Sequence, residues 1–226
     1  MKPIFLLIDT SSFESSVAVW NGNNKSMLME RGSEKGFAER IPHRINHLLE
    51  KAGLTLKDLS AVVLNAGPGS YTGLRTGAAL AKGLCFGLDI PLITLNSLLV
   101  ISSKFAQNLS GDFYLLPLID AGRMEVYTAM FNQQLDELEL TAPVLVDDNF
   151  MNHYNFRKVY FMGSGALKCK EIFERKGWVF LDDDVSLASD LINPASKKFA
   201  ESEFSAIHQF DPLYLKEFVP LVKKNS

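Results

Sequence analysis

The sequence has little of what several protein classes require. It contains only two cysteines, Cys85 and Cys169, which is too few for a disulfide framework or a cysteine-rich metal site. No apolar run approaches the roughly 18 residues of a membrane helix, and the first run, 4–8, meets Asp9 too early for a secretory signal. The formal net charge of −3 leaves no basic excess of the kind that nucleic-acid surfaces carry. We therefore expect a cytoplasmic protein that binds no membrane.

The residues that are present suit an α/β protein. The chain has 226 residues, of which 47% are hydrophobic and 22% charged, enough to bury a core in one large domain or two small ones. Apolar periodicity predicts strands and helices in the order βββαβαβα over the first half. The predicted strands are 4–8, 15–20, 25–31, 61–65 and 91–95, and the predicted helices are 36–53, 72–88 and 97–106.

One pattern occurs twice. An apolar strand ending in an aspartate, a small polar turn and a second strand surround Asp9 and again Asp120. Further strands are predicted at 137–146 and 158–162, and a helix at 187–201. We interpret the repeat as a duplicated fold with an N-terminal lobe over 1–108 and a C-terminal lobe over 109–226. Whether the last segment packs back on the first lobe stays open.

The stretch 65–84 joins a buried strand to an unusual helix. Gly67, Pro68 and Gly69 favour a tight turn, and Ser70 or Thr72 can cap the helix that follows. Small residues then lie on nearly every side of the helix, including Gly77 and Gly83, although an interior glycine costs about 1 kcal/mol relative to alanine. Either the helix packs closely on its own sheet, or a partner helix also approaches its outer face.

Two groups of residues are candidates for a nucleotide site. The first comprises Asp9, Thr10, Ser11 and Asp120, which could contact phosphate or Mg²⁺, although such residues also cap their own turns. The second is the turn 163–166, where Gly163 and Gly165 could let a nucleotide approach the backbone or simply form a tight connection. His43 and His47 stand four residues apart on a predicted helix, but no third ligand is evident and no metal site is assigned.

Short segments over most of the chain together resemble the bacterial TsaB (YeaZ) family. The similarity is strongest in the first 130 residues, and its most specific part is Gly67-Pro68-Gly69-Ser70-Tyr71-Thr72-Gly73-Leu74-Arg75. The other segments are 8–12, 16–19, 81–84, 90–92, 120–127 and 212–216. The resemblance implies the two-lobed, actin-like fold of the acetate kinase, sugar kinase, Hsp70 and actin superfamily.

The resemblance also implies a function. Family members are non-catalytic subunits required for N6-threonylcarbamoyladenosine formation in tRNAs that read codons beginning with A. They form a heterodimer with the catalytic paralogue TsaD, help recruit the ATPase TsaE, and homodimerise through the same surface when alone. By this resemblance the chain contacts tRNA only through the complex and requires no cofactor itself, while ATP or ADP could bind the assembled complex. The alternative is an autonomous ATP-binding kinase or ATPase of the same superfamily.

Two expectations about residues follow from the resemblance. In the catalytic paralogue, two histidines that hold a metal occupy the positions of Ser97 and Ile101, and neither residue present here is a suitable ligand. The partner interface is expected on the helices 38–52 and 72–88. Its expected residues are Ile41, Arg44, His47, Leu74, Arg75, Ala78, Ala79 and Lys82.

Overall fold

The fold consists of two five-stranded sheets with helices between and around them. We describe a computed structural model, in which residues 2–22, 27–32, 40–150, 158–182 and 186–215 are described. The first-lobe elements are β1 (Phe5–Asp9), β2 (Ser15–Trp20), β3 (Met27–Gly32), α1 (Ile41–Ala52), β4 (Ala61–Asn65), α2 (Tyr71–Leu88), β5 (Leu92–Leu95) and α3 (Ser97–Ala106). The predicted starts of β3 and of the first helix, at Lys25 and Gly36, fall outside the described residues.

The first sheet has the strand order β3-β2-β1-β4-β5. The strand β1 pairs antiparallel with β2 and parallel with β4, and β4 pairs parallel with β5. Every residue of β1 and β4 is buried because both faces of the sheet are covered. Alternate residues such as Leu6 and Ile8 face α1 and α2, whereas Phe5 and Leu7 face the opposite layer.

The second sheet repeats this topology. Its strands are β6 (Tyr114–Asp120), β7 (Glu125–Asn132), β8 (Glu137–Leu145), β9 (Val159–Met162) and β10 (Val179–Leu181), with α4 (Ala166–Arg175) between the last two. The order β10-β9-β6-β7-β8 matches the first sheet strand for strand when read in reverse. The predicted duplicated, two-lobed α/β fold is therefore confirmed. The short strand β10 was not predicted, since three half-exposed residues carry almost no periodic signal.

The chain returns to the first lobe after β10. The predicted helix over 187–201 is divided into a 3-10 turn (Ala188–Leu191) and α5 (Ile192–Ala200), with Pro194 in the first turn of α5. Ala188, Leu191 and Ala195 are buried against Phe5, Val63 and other residues of the first sheet. The described residues from Ser186 onward therefore pack on the first lobe, which is the possibility that the sequence left open for the last segment of the expected lobe over 109–226. None of the described helices combines the length and apolar character of a membrane span.

Candidate functional site

The start of α2 packs directly on the turn that follows β1. A β-carbon added to Gly69, Gly73 or Gly77 would come closer than 3.0 Å to an atom of Thr10 or Ser11. The Thr10 hydroxyl donates to the carbonyl of Gly73 over 2.7 Å, and the N–H of Ser70 donates to the carbonyl of Ser11 over 2.6 Å. These glycines serve packing within the chain, which is the first of the two interpretations that the sequence left open.

Asp9 lies behind this contact and is fully buried. Its Oδ1 accepts hydrogen bonds from the N–H and the hydroxyl of Ser11, at 3.0 and 2.7 Å. Its Oδ2 accepts from Asn65 Nδ2 at 2.9 Å and from the hydroxyl of Ser186 at 2.6 Å. Both carboxylate oxygens are thus occupied by donors of the chain itself. Asp9 joins β1, β4 and the returning C-terminal segment, and it is not presented to a ligand.

Asp120, the counterpart of Asp9 in the second lobe, has a different environment. Its side chain is 51% exposed and forms an ion pair with Lys168. Its Oδ1 also accepts from the N–H of Gly122 at 2.7 Å, which closes the turn between β6 and β7. Lys168 further donates to the carbonyls of Arg123 and Glu125, at 2.8 and 2.6 Å. The aspartate and the lysine together stabilise this turn.

The glycines after β9 pack on β6. Gly163 has a φ of +100°, and a β-carbon on it would come closer than 3.0 Å to the carbonyl oxygen of Leu118. The N–H of Gly165 donates to the same carbonyl over 2.9 Å, and the N–H of Asp120 donates to the hydroxyl of Ser164 over 3.1 Å. This turn is a close strand–helix connection in which the N–H of Gly165 is bonded to the sheet.

A cleft of about 640 Å³ separates the two lobes at the ends of β1 and β6. Two of the predicted nucleotide contacts, Ser11 and Asp120, line this cleft. Thr10 is buried, and like Asp9, Gly163 and Gly165 it does not line the cleft. The described residues that line it include two carboxylates, Glu14 and Asp120, but no lysine or arginine. They are Ser11, Ser12, Phe13, Glu14, Gly69, Ser70, Ile119, Asp120, Ala121, Tyr127 and Ser164.

Ser97 and Ile101, the two positions that the resemblance compares with metal ligands of the catalytic paralogue, are buried. The Ser97 hydroxyl donates to Asn65 Oδ1 over 2.6 Å, so it belongs to the hydrogen-bond network of Asp9. Ile101 packs between α3 and the second sheet. Within the described part of the chain, no group of three or more His, Cys, Asp or Glu residues is arranged to hold a metal ion.

The predicted partner interface divides into buried and outward-facing residues. Ile41, Leu74 and Ala78 are buried in the chain's own core, so their side chains cannot contact a partner and the prediction is corrected for these three positions. The other predicted residues remain at least partly accessible: Arg44, His47, Arg75, Ala79 and Lys82. On α2 the accessible positions Thr72, Thr76, Ala79 and Gly83 follow helical spacing and form one narrow outward face.

A segment that sequence reasoning did not assign lies beside this outward face. Residues 205–214, here called the C-terminal strap, run along the flank of α2. Asp211 pairs with Lys82 at 3.6 Å, and the Lys82 ammonium lies 5.5 Å from the centre of the Phe210 ring. At the other end of α2, the ring centres of Tyr214 and Tyr71 are 5.0 Å apart. In the sequence, the apolar residues Ile207 and Phe210 are a weak signal for this contact.

Comparison with known proteins places the chain in a family. A family model described as TsaD, tRNA N6-adenosine threonylcarbamoyltransferase, matches residues 31–217. The chain belongs to the TsaD family. Within that family it is 29% identical to the tRNA threonylcarbamoyladenosine biosynthesis protein TsaB of Escherichia coli, over 95% of each chain. It is also 29% identical to the Bacillus subtilis protein of the same name, over 93% of each chain.

These relatives confirm the resemblance to TsaB that the sequence indicated. YeaZ from Pseudomonas aeruginosa, a solved structure, superposes with a TM-score of 0.77 at 24% identity, covering 94% of this chain and all of that one. That likeness confirms the fold. The tRNA N6-adenosine threonylcarbamoyltransferase of Cereibacter sphaeroides is 32% identical over 106 residues, which are 46% of this chain but only 29% of that enzyme. Similarity to TsaB thus extends along the whole chain, whereas similarity to this transferase is confined to about half.

Proposed function

We propose that this chain is a non-catalytic subunit required for N6-threonylcarbamoyladenosine formation in tRNAs that read codons beginning with A. The observation that carries the proposal is the environment of Ser97 and Ile101. At the positions where the catalytic paralogue holds its metal, this chain has a serine donating to Asn65 and a core isoleucine. A neutral hydroxyl and an alkyl group do not replace two imidazoles as metal ligands.

The proposed mode of action is assembly. We propose a heterodimer with a TsaD-type transferase, formed through the outward faces of α1 and α2, with recruitment of a TsaE-type ATPase and homodimerisation through the same faces when the chain is alone. The exposed Ala79 and Gly83 support this, because small side chains let the backbone of a second helix approach closely. A β-carbon on Gly83 would meet no described atom within 4 Å. The chain would act in the cytoplasm and contact tRNA only through the complex.

We further propose that the chain itself requires no cofactor and that any ATP or ADP is held by the assembled complex. Asp9 is saturated by internal hydrogen bonds, and the cleft residues supply carboxylates without lysine or arginine. A triphosphate would therefore lack the lysine and arginine donors that usually hold its phosphates. No arrangement of side chains among the described residues favours the alternative of an autonomous kinase or ATPase.

The experiment that tests the function is reconstitution from purified components. Threonylcarbamoylation of tRNA is measured with this chain alone, with the transferase and ATPase but without this chain, and with all components. We expect modification only in the complete mixture. Modification by this chain alone, supplied with the threonylcarbamoyl adenylate, would show that it is the enzyme. Full activity without it would show that it is dispensable.

The proposed interface is tested by one bulky substitution and a matched control. Ala79 on α2 and Ala200 at the end of α5 are both exposed helical alanines, but only Ala79 lies on the proposed contact face. We expect Ala79→Trp to weaken heterodimer formation by at least about 30-fold, because the indole would separate the helices, while Ala200→Trp leaves it unchanged. Normal assembly of a correctly folded Ala79→Trp protein would exclude this face.

A further inference from the structure

Arg75 is held in an exposed position by two aromatic rings. Its Cζ lies 5.4 Å from the centre of the Tyr71 ring, and its Nη1 donates to the Tyr71 hydroxyl at 3.5 Å. Tyr71 in turn packs on Tyr214 of the C-terminal strap, with ring centres 5.0 Å apart. A guanidinium supported in this way loses little further side-chain entropy when it binds.

The charge of Arg75 has no counter-charge in the described part of the chain. Several other cations there are paired with carboxylates, whereas Arg75 contacts the ring and the hydroxyl of Tyr71. The paired cations include Lys82 with Asp211, Lys104 with Asp190, Lys168 with Asp120 and Arg175 with Asp148. Arg75 therefore presents most of its hydrogen-bond donors outward.

The position of Arg75 connects it to the outward face of α2. It lies one helical turn before Ala79 and next to Thr72 and Thr76, so a helix that packs over the small residues must pass beside the guanidinium. Tyrosine and arginine are the residue types that most often dominate binding at protein interfaces. The outward face of α2 has small side chains, and Arg75 and Tyr71 lie at its edge. Such a face suits a partner helix that carries an acidic side chain.

We propose that Arg75, positioned by Tyr71 and the C-terminal strap, is the electrostatic anchor of the heterodimer and binds an Asp or Glu carboxylate on the contacting helix of the transferase. The inference rests on the proposed function and adds the chemistry of the contact. It also assigns roles to the two supports. Arg75 contacts the partner, whereas Tyr71 and Tyr214 are positioning residues that act through it.

The first test compares two charge reversals by calorimetric titration of the full-length chain with the transferase. Arg75→Glu and Lys57→Glu change the net charge equally, and Lys57 is exposed in the 3-10 turn Leu56–Asp58, away from the proposed face. We expect Arg75→Glu to raise the dissociation constant at least about 30-fold and Lys57→Glu to change it less than about threefold. If both variants raise the dissociation constant equally, Arg75 acts only through the net charge of the protein, and the proposal is wrong.

A charge swap identifies the carboxylate. Each Asp and Glu on the transferase's contacting helices is replaced by Lys and titrated with the Arg75→Glu protein. Restored affinity for one of these variants, which also binds wild-type chain weakly, is the expected result. If none restores binding, Arg75 has no carboxylate partner and the inference is wrong.

The positioning role is tested at Tyr71. Tyr71→Ala removes the ring under Arg75 and is expected to weaken binding about tenfold, whereas Tyr71→Phe retains the ring and should stay within about threefold of wild type. Similar losses from both changes would contradict support by the ring. If wild-type chain does not bind the transferase at all, the proposed function itself fails. If wild type binds and Arg75→Glu binds equally well, only this inference fails.

Discussion

At the scale of single residues, the glycines of α2 serve different purposes. Gly73 and Gly77 lie against Thr10, and no side chain fits between α2 and the turn after β1. Gly83 and Gly87 have open space around the position of a β-carbon. The sequence shows four glycines in one helix, but only the contact with Thr10 distinguishes the two that are needed for folding.

This difference predicts opposite effects of the same substitution. Gly73→Ala should lower the free energy of unfolding by about 2 to 3 kcal/mol, because the new methyl group would press on backbone atoms of Thr10 that cannot move away. Gly83→Ala is the control and should raise it by about 1 kcal/mol, the gain in helix propensity. Urea unfolding followed by circular dichroism measures both. Equal changes of the same sign would mean that the contact with Thr10 is not tight.

At the scale of elements, α2 is covered on one flank by a segment from the far end of the chain. The C-terminal strap adds a bridge to β5, where the N–H of Ser205 donates to the carbonyl of Leu92 over 2.8 Å. The N–H of Leu213 donates to the carbonyl of Ala66 over 2.9 Å, beside the start of α2. The strap therefore stabilises both the edge of the first sheet and the helix that carries the proposed interface.

The packing of the C-terminal strap on α2 predicts that the ring of Phe210 contributes to the stability of the fold. Phe210 packs on the core cluster that includes Leu92 and Cys85, so Phe210→Ala should lower the free energy of unfolding by about 1 to 2 kcal/mol. The control is Phe13→Ala, since Phe13 is 84% exposed and its loss should cost less than about 0.5 kcal/mol. Thermal unfolding of the two variants measures both changes in stability. A Phe210 variant as stable as the control would mean that the strap does not pack on α2 in solution.

At the scale of the whole molecule, the two lobes are linked by α3 and by the returning C-terminal segment. Side chains of α3 enter both lobes, since Val100 packs on the first sheet and Leu98 and Ile101 on the second. Ser186 then donates to Asp9 of the first lobe. Each lobe has one buried thiol, Cys85 in the first and Cys169 in the second.

The two thiols predict a test of cooperation between the lobes. Burial raises the pKa of both Cys85 and Cys169 to about 11, so both should resist a disulfide reagent at pH 8 until the protein unfolds. Single-cysteine variants, Cys85→Ala and Cys169→Ala, then report the second and the first lobe separately in increasing urea. Because α3 and Ser186 join the lobes, we expect both thiols to react over the same urea range. Reaction of one thiol well before the other would show independent unfolding.

The same pKa values give a sign for the pH dependence of stability. Between the ordinary thiol pKa near 9 and the folded value near 11, unfolded chains release thiol protons that the folded protein retains. The free energy of unfolding should therefore decrease as pH rises through this range, and replacing both cysteines by alanine should reduce the decrease.

The sequence by itself determined the fold class, most element bounds and the family resemblance. A continuous apolar run marks a strand that is buried on both faces, as in β1 and β4, and the repeat around Asp9 and Asp120 already indicated two related lobes. Local patterns suffice for such features because they depend on which residues are buried and on turn chemistry within a few neighbours.

The tertiary structure alone decided which residues face solvent, which face a cleft and which face the core. Ala78 and Ala79 are adjacent and chemically identical, yet only Ala79 is exposed. Asp9 and Asp120 end equivalent strands, yet Asp9 is saturated because Asn65 and Ser186 reach it from positions 56 and 177 residues away. These outcomes depend on contacts between distant parts of the chain, and a single sequence carries no local signal for them.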